Sequence, residues 1–169
     1  MSASEFAVRT AVAADLTGIV ALERSIAEAA HWPAPEYAAM LAPMNGDAVE
    51  RRLLIAERDG ALLGYAVGKL LRTGAGSLGE LENIAVAAQC RGQGIGRALC
   101  CAVLEWCKEQ GATAVEIEVR AGNQVAIGMY ERLGWKKTAR RRAYYHDPVE
   151  DALLMTLALD APTSSDLAG

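Results

Sequence analysis

Arg91-Gly92-Gln93-Gly94-Ile95-Gly96-Arg97 is the stretch on which the reading of this chain turns. It follows an apolar, strand-like run, Leu81 to Val86, and opens a helix-like run, Arg97 to Gln110. Glycine at 92, 94 and 96 lets the backbone turn tightly and come close to a ligand. A helix N-terminus behind such a loop presents unpaired N–H groups and a partial positive charge. Strand, glycine loop and helix together predict an anion site, most often for phosphate or pyrophosphate. The competing reading is a tight strand–helix turn that needs glycine only for packing.

Two familiar phosphate loops do not fit. A P-loop requires Gly-x-x-x-x-Gly-Lys-Ser/Thr, and no Lys-Ser or Lys-Thr pair follows these glycines. A Rossmann loop follows the first strand, with an acid about 20 residues on. Glu116 and Glu118 lie at roughly that distance, but the loop here sits mid-chain, after at least three predicted strands.

Upstream, Leu16, Ile19, Val20, Leu22, Glu23 and Ile26 follow a mostly helical period with Asp15 as N-cap. Trp32-Pro33-Ala34-Pro35 breaks that helix, and a second short helix is expected from Glu36 to Ala42. Leu53–Arg58 and Leu62–Leu71 read as a hairpin around Asp59-Gly60. Thr73 to Gly79 reads as a glycine-rich loop.

Downstream, Ile95, Leu99, Ala102, Val103 and Trp106 share one helical face, which Gly111 ends. Ala114 to Arg120 alternates strictly, with Val115, Ile117 and Val119 opposite Glu116, Glu118 and Arg120. Asn123 caps a helix to about Leu133, Gly134 closes it, and Leu153 to Leu159 is a last strand. The predicted order is β–α–β–α–β preceded by a hairpin and one or two helices. That order implies a mixed α/β sheet with helices on both faces.

At 169 residues the chain is expected to form one domain, ordered over about 5–160, with a small, polar and flexible tail from Ala161 to Gly169. A net charge of −4 argues against a general nucleic-acid binder. Cys90, Cys100, Cys101 and Cys107 match neither a zinc site nor a redox pair, and free thiols point to a reducing compartment. Neither a signal peptide nor an apolar stretch of about 20 residues is evident, so a cytoplasmic protein is expected. His31 and His146 are too isolated for a metal site, and no His–acid pattern accompanies a cysteine, so no metal is expected.

These residues resemble a known family. Arg91-Gly92-Gln93-Gly94-Ile95-Gly96 looks like the Arg/Gln-x-x-Gly-x-Gly/Ala acetyl-CoA signature of the GNAT acetyltransferases. Asn83-Ile84-Ala85-Val86, Glu118-Val119-Arg120-Ala121-Gly122-Asn123 and Ala126 to Trp135 extend the likeness. With Arg141-Arg142-Ala143-Tyr144-Tyr145 and Glu150-Asp151-Ala152, the pattern is most similar to the bacterial ribosomal-protein-alanine N-acetyltransferases. The likeness runs from Phe6 to Leu159 and is dense only after Glu80. It implies a GNAT fold: a central mixed, mostly antiparallel sheet of six to seven strands flanked by about four helices.

The resemblance also implies roles. The cofactor set is the backbone of Ile84, Ala85 and Val86 for the pantetheine and acetyl group, Arg91, Gly92, Gln93, Gly94, Ile95, Gly96 and Arg97 for the pyrophosphate, and Asn123. Asn123 also reads as a plain N-cap. Glu118 is the implied proton acceptor; otherwise it is a surface glutamate paired with a cation such as Arg120. Tyr130 is the implied proton donor; otherwise it is a core tyrosine on an amphipathic helix. Tyr144 and Tyr145 are implied to border a peptide groove. Acetyl-CoA is the implied co-substrate.

Two departures stand out: Ala143 where asparagine is common before the tyrosine pair, and Trp135 where phenylalanine is usual. The favoured reading is acetyl transfer to the N-terminal alanine of a small-subunit ribosomal protein, by direct attack in a ternary complex. Lysine or small-amine acetylation is the first alternative, and a coenzyme A-binding sensor or partner module with little activity the second. Five cations in the seven residues from Lys136 to Arg142 read as a solvated edge or loop rather than an RNA contact. The expected assembly is a monomer or weak homodimer without membrane or direct nucleic-acid partners.

Overall fold

Asp59 and Gly60 both take positive φ, +52° and +77°, the conformation that a two-residue hairpin turn needs. They join β2 (Val49–Arg58) to β3 (Ala61–Thr73), and β1 (Ala7–Thr10) pairs with the outer edge of β2. The computed structural model describes residues 5–27, 29–42 and 46–160; the expected flexible tail, 161–169, lies outside them.

β4 (Gly76–Val86) starts inside the stretch read as a glycine-rich loop. Gly79 is in that strand because a helix presses on it: a Cβ there would stand 2.7 Å from Cys107 Sγ. Glycine here marks a close approach of sheet and helix, not a loop. The helix is α3 (Ile95–Glu109), which crosses from β4 to β5 (Ala112–Arg120) and starts at Ile95, the first residue of the periodic face and two before the helix-like run from Arg97. α4 (Gln124–Arg132), β6 (Lys136–His146) and β7 (Val149–Ala158) complete the chain. The sheet order is β1-β2-β3-β4-β5-β7-β6, and β4–β5 is its one parallel pair.

Each face of the sheet carries its own core. Leu99, Val103, Trp106, Ile127 and Tyr130 from α3 and α4 pack on Val115, Ile117 and Val119. On the other face, α1 (Leu16–Arg24) and α2 (Ala34–Ala39) pack Ile19 and Tyr37 on Leu53, Ile55, Tyr65, Val67 and Ala85. Among the described residues, seven mostly antiparallel strands and four α-helices on two faces match the expected architecture.

Several local expectations need correction. Asp15 makes no side-chain bond to α1; it binds Arg9 at 2.8 Å and the Val12 N–H at 2.7 Å. The Trp32–Pro35 segment starts α2 rather than merely ending α1, since Pro33 is its N-cap and Pro35 lies in its first turn, where a missing N–H is harmless. β1 is short and carried no clear alternation. The basic run is an edge strand, β6, exposed along almost its whole length. Its cations suit an edge that must not recruit another strand. Among the described residues, no helix is long and apolar enough to cross a membrane.

Candidate active site

β4 and β5 pair only from Ser77/Ala112 to Glu80/Glu116, although β4 runs on to Val86 and β5 to Arg120. Beyond Glu80 and Glu116 the two strands part, and a gap opens through the middle of the sheet. Antiparallel ladders exchange hydrogen bonds at every second pair. The Ala87 N–H donates to Leu63 O at 2.8 Å, which sets the phase on β4. Ala85 therefore turns its backbone groups toward β3, while Ile84 and Val86 turn theirs into the gap. Of the three expected backbone contacts, two face the gap. Arg91 Nε donates to Val86 O from the open side at 3.4 Å.

The glycine loop closes the far end of this gap. Gly92 and Gly94 sit at φ +77° and +81°, a left-handed conformation costly for any residue with a Cβ. Nothing lies within 4 Å of where their Cβ atoms would be, so the loop is an open cradle. Gly94 is the N-cap of α3 and supplies no side-chain cap. The first N–H groups of that 15-residue helix, at Ile95, Gly96 and Arg97, thus have no intrahelical partner. An anionic pyrophosphate fits this end of the helix.

On the face covered by α1 and α2, Glu118 lies just past the point of divergence. Its carboxylate forms an ion pair with Arg141, Nη1 to Oε1 3.0 Å, and not with Arg120. Arg120 instead binds Glu150 at 3.4 Å and stacks 4.0 Å above the Tyr145 ring. Tyr144 and Tyr145 meet edge to face at 5.1 Å. Hydrogen bonding to Glu118, then partial burial, holds the Tyr144 phenol above its ordinary range. Glu118 and both tyrosines are therefore brought together. The register of β6 on β7 slips between Arg141 and Tyr145, and Ala143 takes φ +49°. Tyr144, inside this slip, is exposed.

Tyr130 is on the opposite face, 2% exposed, with its ring 5.6 Å from Trp135. Burial raises its phenol well above the ordinary value. Among the described residues its hydroxyl makes no protein hydrogen bond. Glu118 and Tyr130 thus address opposite sides of the sheet, and the β4–β5 gap lies between those sides. Asn123 accepts the Ala126 N–H at 3.2 Å, the N-cap role it was given.

One polar cluster went unread in the sequence. Glu23, 1% exposed, accepts from the Tyr37 hydroxyl and from the Trp32 N–H at 3.0 Å. The Tyr37 and Tyr65 hydroxyls are 3.2 Å apart, and Asn83 Nδ2 donates to both, at 3.3 and 3.2 Å. Burial pushes the Tyr65 phenol up to about 12. The cluster ties α1 and α2 to β4 beside the gap. Its signals were a glutamate on the apolar face of α1 and an asparagine inside an apolar strand.

The chain belongs to the acetyltransferase (GNAT) family, whose model matches residues 19–135. It is an acetyl-CoA-dependent transferase. An N-alpha-acetyltransferase of Sulfurisphaera tokodaii is 38% identical over 120 residues, covering 65% of this chain and 71% of its own. The ribosomal protein bS18-alanine N-acetyltransferase of Escherichia coli is 41% identical over 81 residues. That match covers 47% of this chain and just over half, 55%, of the relative. A crystal structure of the E. coli ribosomal-protein-S18-alanine N-acetyltransferase superposes with a TM-score of 0.72 at 25% identity, covering 94% of this chain and 98% of the other. Arabidopsis thaliana NAA60 in complex with acetyl-CoA has the same fold, with a TM-score of 0.76 at 19% identity over 92% of this chain and 99% of its own.

Proposed function

We propose that this enzyme acetylates the α-amine of a protein N-terminus, and that its acceptor is the N-terminal alanine of a small-subunit ribosomal protein. The observation that carries the reading is the gap between β4 and β5, with Glu118 and the tyrosine pair on one face and Tyr130 on the other. Such an arrangement admits an amine from the Glu118 side and a thioester from the α3–α4 side. The amine and the thioester would meet at that gap, an arrangement suited to direct attack in a ternary complex. Sequence and structural likeness to N-terminal acetyltransferases supports the acceptor class. An enzyme acting on a ribosomal protein would work in the cytoplasm.

Acetyl-CoA supplies an activated acetyl thioester. Glu118 takes the proton that the attacking amine must lose. An α-amine has a pKa of about 7.7–8.0, so roughly a tenth is already neutral at pH 7 and the base need not be strong. The N–H groups of Ile84 and Val86 that face the gap stabilise the carbonyl oxygen as charge develops on it. Tyr130 delivers a proton to the departing sulfur. Its raised pKa keeps it protonated, and the same apolar surroundings make a bare thiolate equally unwelcome. Tyr144 and Tyr145 line the path of the peptide behind its first residue.

The test is a comparison of kcat/KM for peptides that differ only in a first residue of Ala, Ser or Met. The reading expects alanine to lead by about tenfold or more, the discrimination a small pocket achieves. Equal rates for all three would remove the alanine assignment.

A further inference from the structure

We propose that Arg58, at the end of β2, is a further coenzyme-binding residue that grips a phosphate of coenzyme A beside the glycine loop. The proposal rests on coenzyme binding at that loop and is independent of the acceptor. β2 runs antiparallel to α3 across the same face of the sheet. Arg52 stacks 5.4 Å from the Trp106 ring near one end of the helix. Arg58 lies six residues further along β2, and its Nη2 donates to Gln93 Oε1 at 3.2 Å in the loop at the other end. Six strand residues span about 20 Å, as does the helical path from Trp106 back to Gln93. The strand therefore delivers Arg58 to the mouth of the cradle.

Two observations indicate that Arg58 has an unfilled role there. Its Nε is buried and has no hydrogen-bond partner, a costly state for a charged group's donor. Among the described residues, Arg58, Arg91 and Arg97 form no ion pair, as is also true of Arg24, Arg52, Arg132 and Arg142; Arg58 is set apart from these by its buried, unpartnered Nε. Arg58 reaches the loop through Gln93, and Arg91 and Arg97 bracket that loop in sequence, in a chain with net charge −4. Phosphate is the ligand chemistry that a planar fork of donors fits best. It could be the 3′-phosphate or the pyrophosphate, both borne by the same molecule.

Calorimetric titration of wild type and Arg58→Gln with coenzyme A, 3′-dephospho-coenzyme A and 4′-phosphopantetheine tests this. Loss of a charge-assisted contact predicts coenzyme A binding weaker by about 10- to 100-fold in the variant. If Arg58 holds the 3′-phosphate, the wild-type preference for coenzyme A over its dephospho form disappears in the variant. If it holds the pyrophosphate, both ligands weaken equally, while phosphopantetheine is much less affected. Coenzyme A binding within twofold of wild type, by a variant of unchanged melting temperature, overturns the proposal. A second measurement uses the wild-type chain alone: coenzyme A should protect Arg58 from phenylglyoxal, read by peptide mass mapping. Labelling of Arg58 unaffected by saturating coenzyme A overturns the proposal as well. Wild-type binding in the same titrations reports separately on the loop.

Discussion

Arg141 of the edge strand reaches across β7 to place its Nη1 3.0 Å from Glu118 Oε1 on β5. The arginine is half exposed, so the pair contributes only about 0–1 kcal/mol to stability. If Glu118 served merely to anchor β6, removing either partner would have the same small effect. If it is the base, the two variants diverge. Glu118→Gln should lower kcat by about 10²–10⁴ with coenzyme A affinity little changed. Arg141→Ala should keep kcat within about threefold of wild type, since the base is still there. Steady-state kinetics beside calorimetry separates the two cases.

Tyr130→Phe addresses the other face. The ring packing is kept and no protein hydrogen bond is lost, so the melting temperature should hold. Turnover should fall by about 10-fold or more, as loss of general-acid help predicts. Wild-type turnover would remove Tyr130 as the proton donor.

Gly94→Val tests the cradle. Its φ of +81° makes a β-branched residue strained by about 1–2 kcal/mol, yet no neighbouring atom lies within 4 Å. The chain should therefore still fold, with a lower denaturation midpoint, while coenzyme A binding is blocked by the new side chain. Tight binding in calorimetry would contradict the loop assignment.

Ala143→Gly should stabilise the protein. Ala143 holds φ +49°, and its N–H donates to Asp151 Oδ1 at 2.8 Å. A left-handed alanine costs about 1 kcal/mol that glycine avoids. Differential scanning should show a rise of about 2–4 °C for a chain of this size.

Alkaline pH should destabilise the fold through the buried thiols of α3. Burial pushes the Cys107 and Cys100 thiols up to about 12, against 9.0 in an open chain. Raised folded-state values mean that the stability is fully present below pH 9 and is lost as pH climbs toward 12. Each thiol should contribute a loss of about 1 kcal/mol between pH 8 and pH 10. Urea midpoints at the two pH values measure it, and Cys107→Ala should show a smaller difference.

Most of the fold was legible because its signals were local. Asp59-Gly60, the alternation of Ala114–Arg120 and the helical face from Ile95 to Trp106 each announce an element without reference to the rest. Gly79 misled because glycine looks alike in a turn and under a helix, and only the position of Cys107 distinguishes the cases. The glycine loop, Glu118 and Tyr130 could be singled out as candidates because each sits in a contiguous motif. Arg58 and the Glu23–Tyr37–Tyr65–Asn83 cluster could not be, because strands, helices and a loop far apart in the chain assemble them. Arg141 was seen as one charge in a basic run; its partner depends on β6 lying two strands away from β5.

The central claim is that the acceptor is an α-amine. Two peptides of one sequence, each with an alanine N-terminus and an internal lysine, are incubated with the enzyme and acetyl-CoA; one carries a blocked N-terminus. Fragment-ion mass spectrometry then locates the acetyl group. The account predicts acetylation of the free α-amine and none on the blocked peptide. Acetyl groups on the lysine of both peptides at similar rates would contradict it.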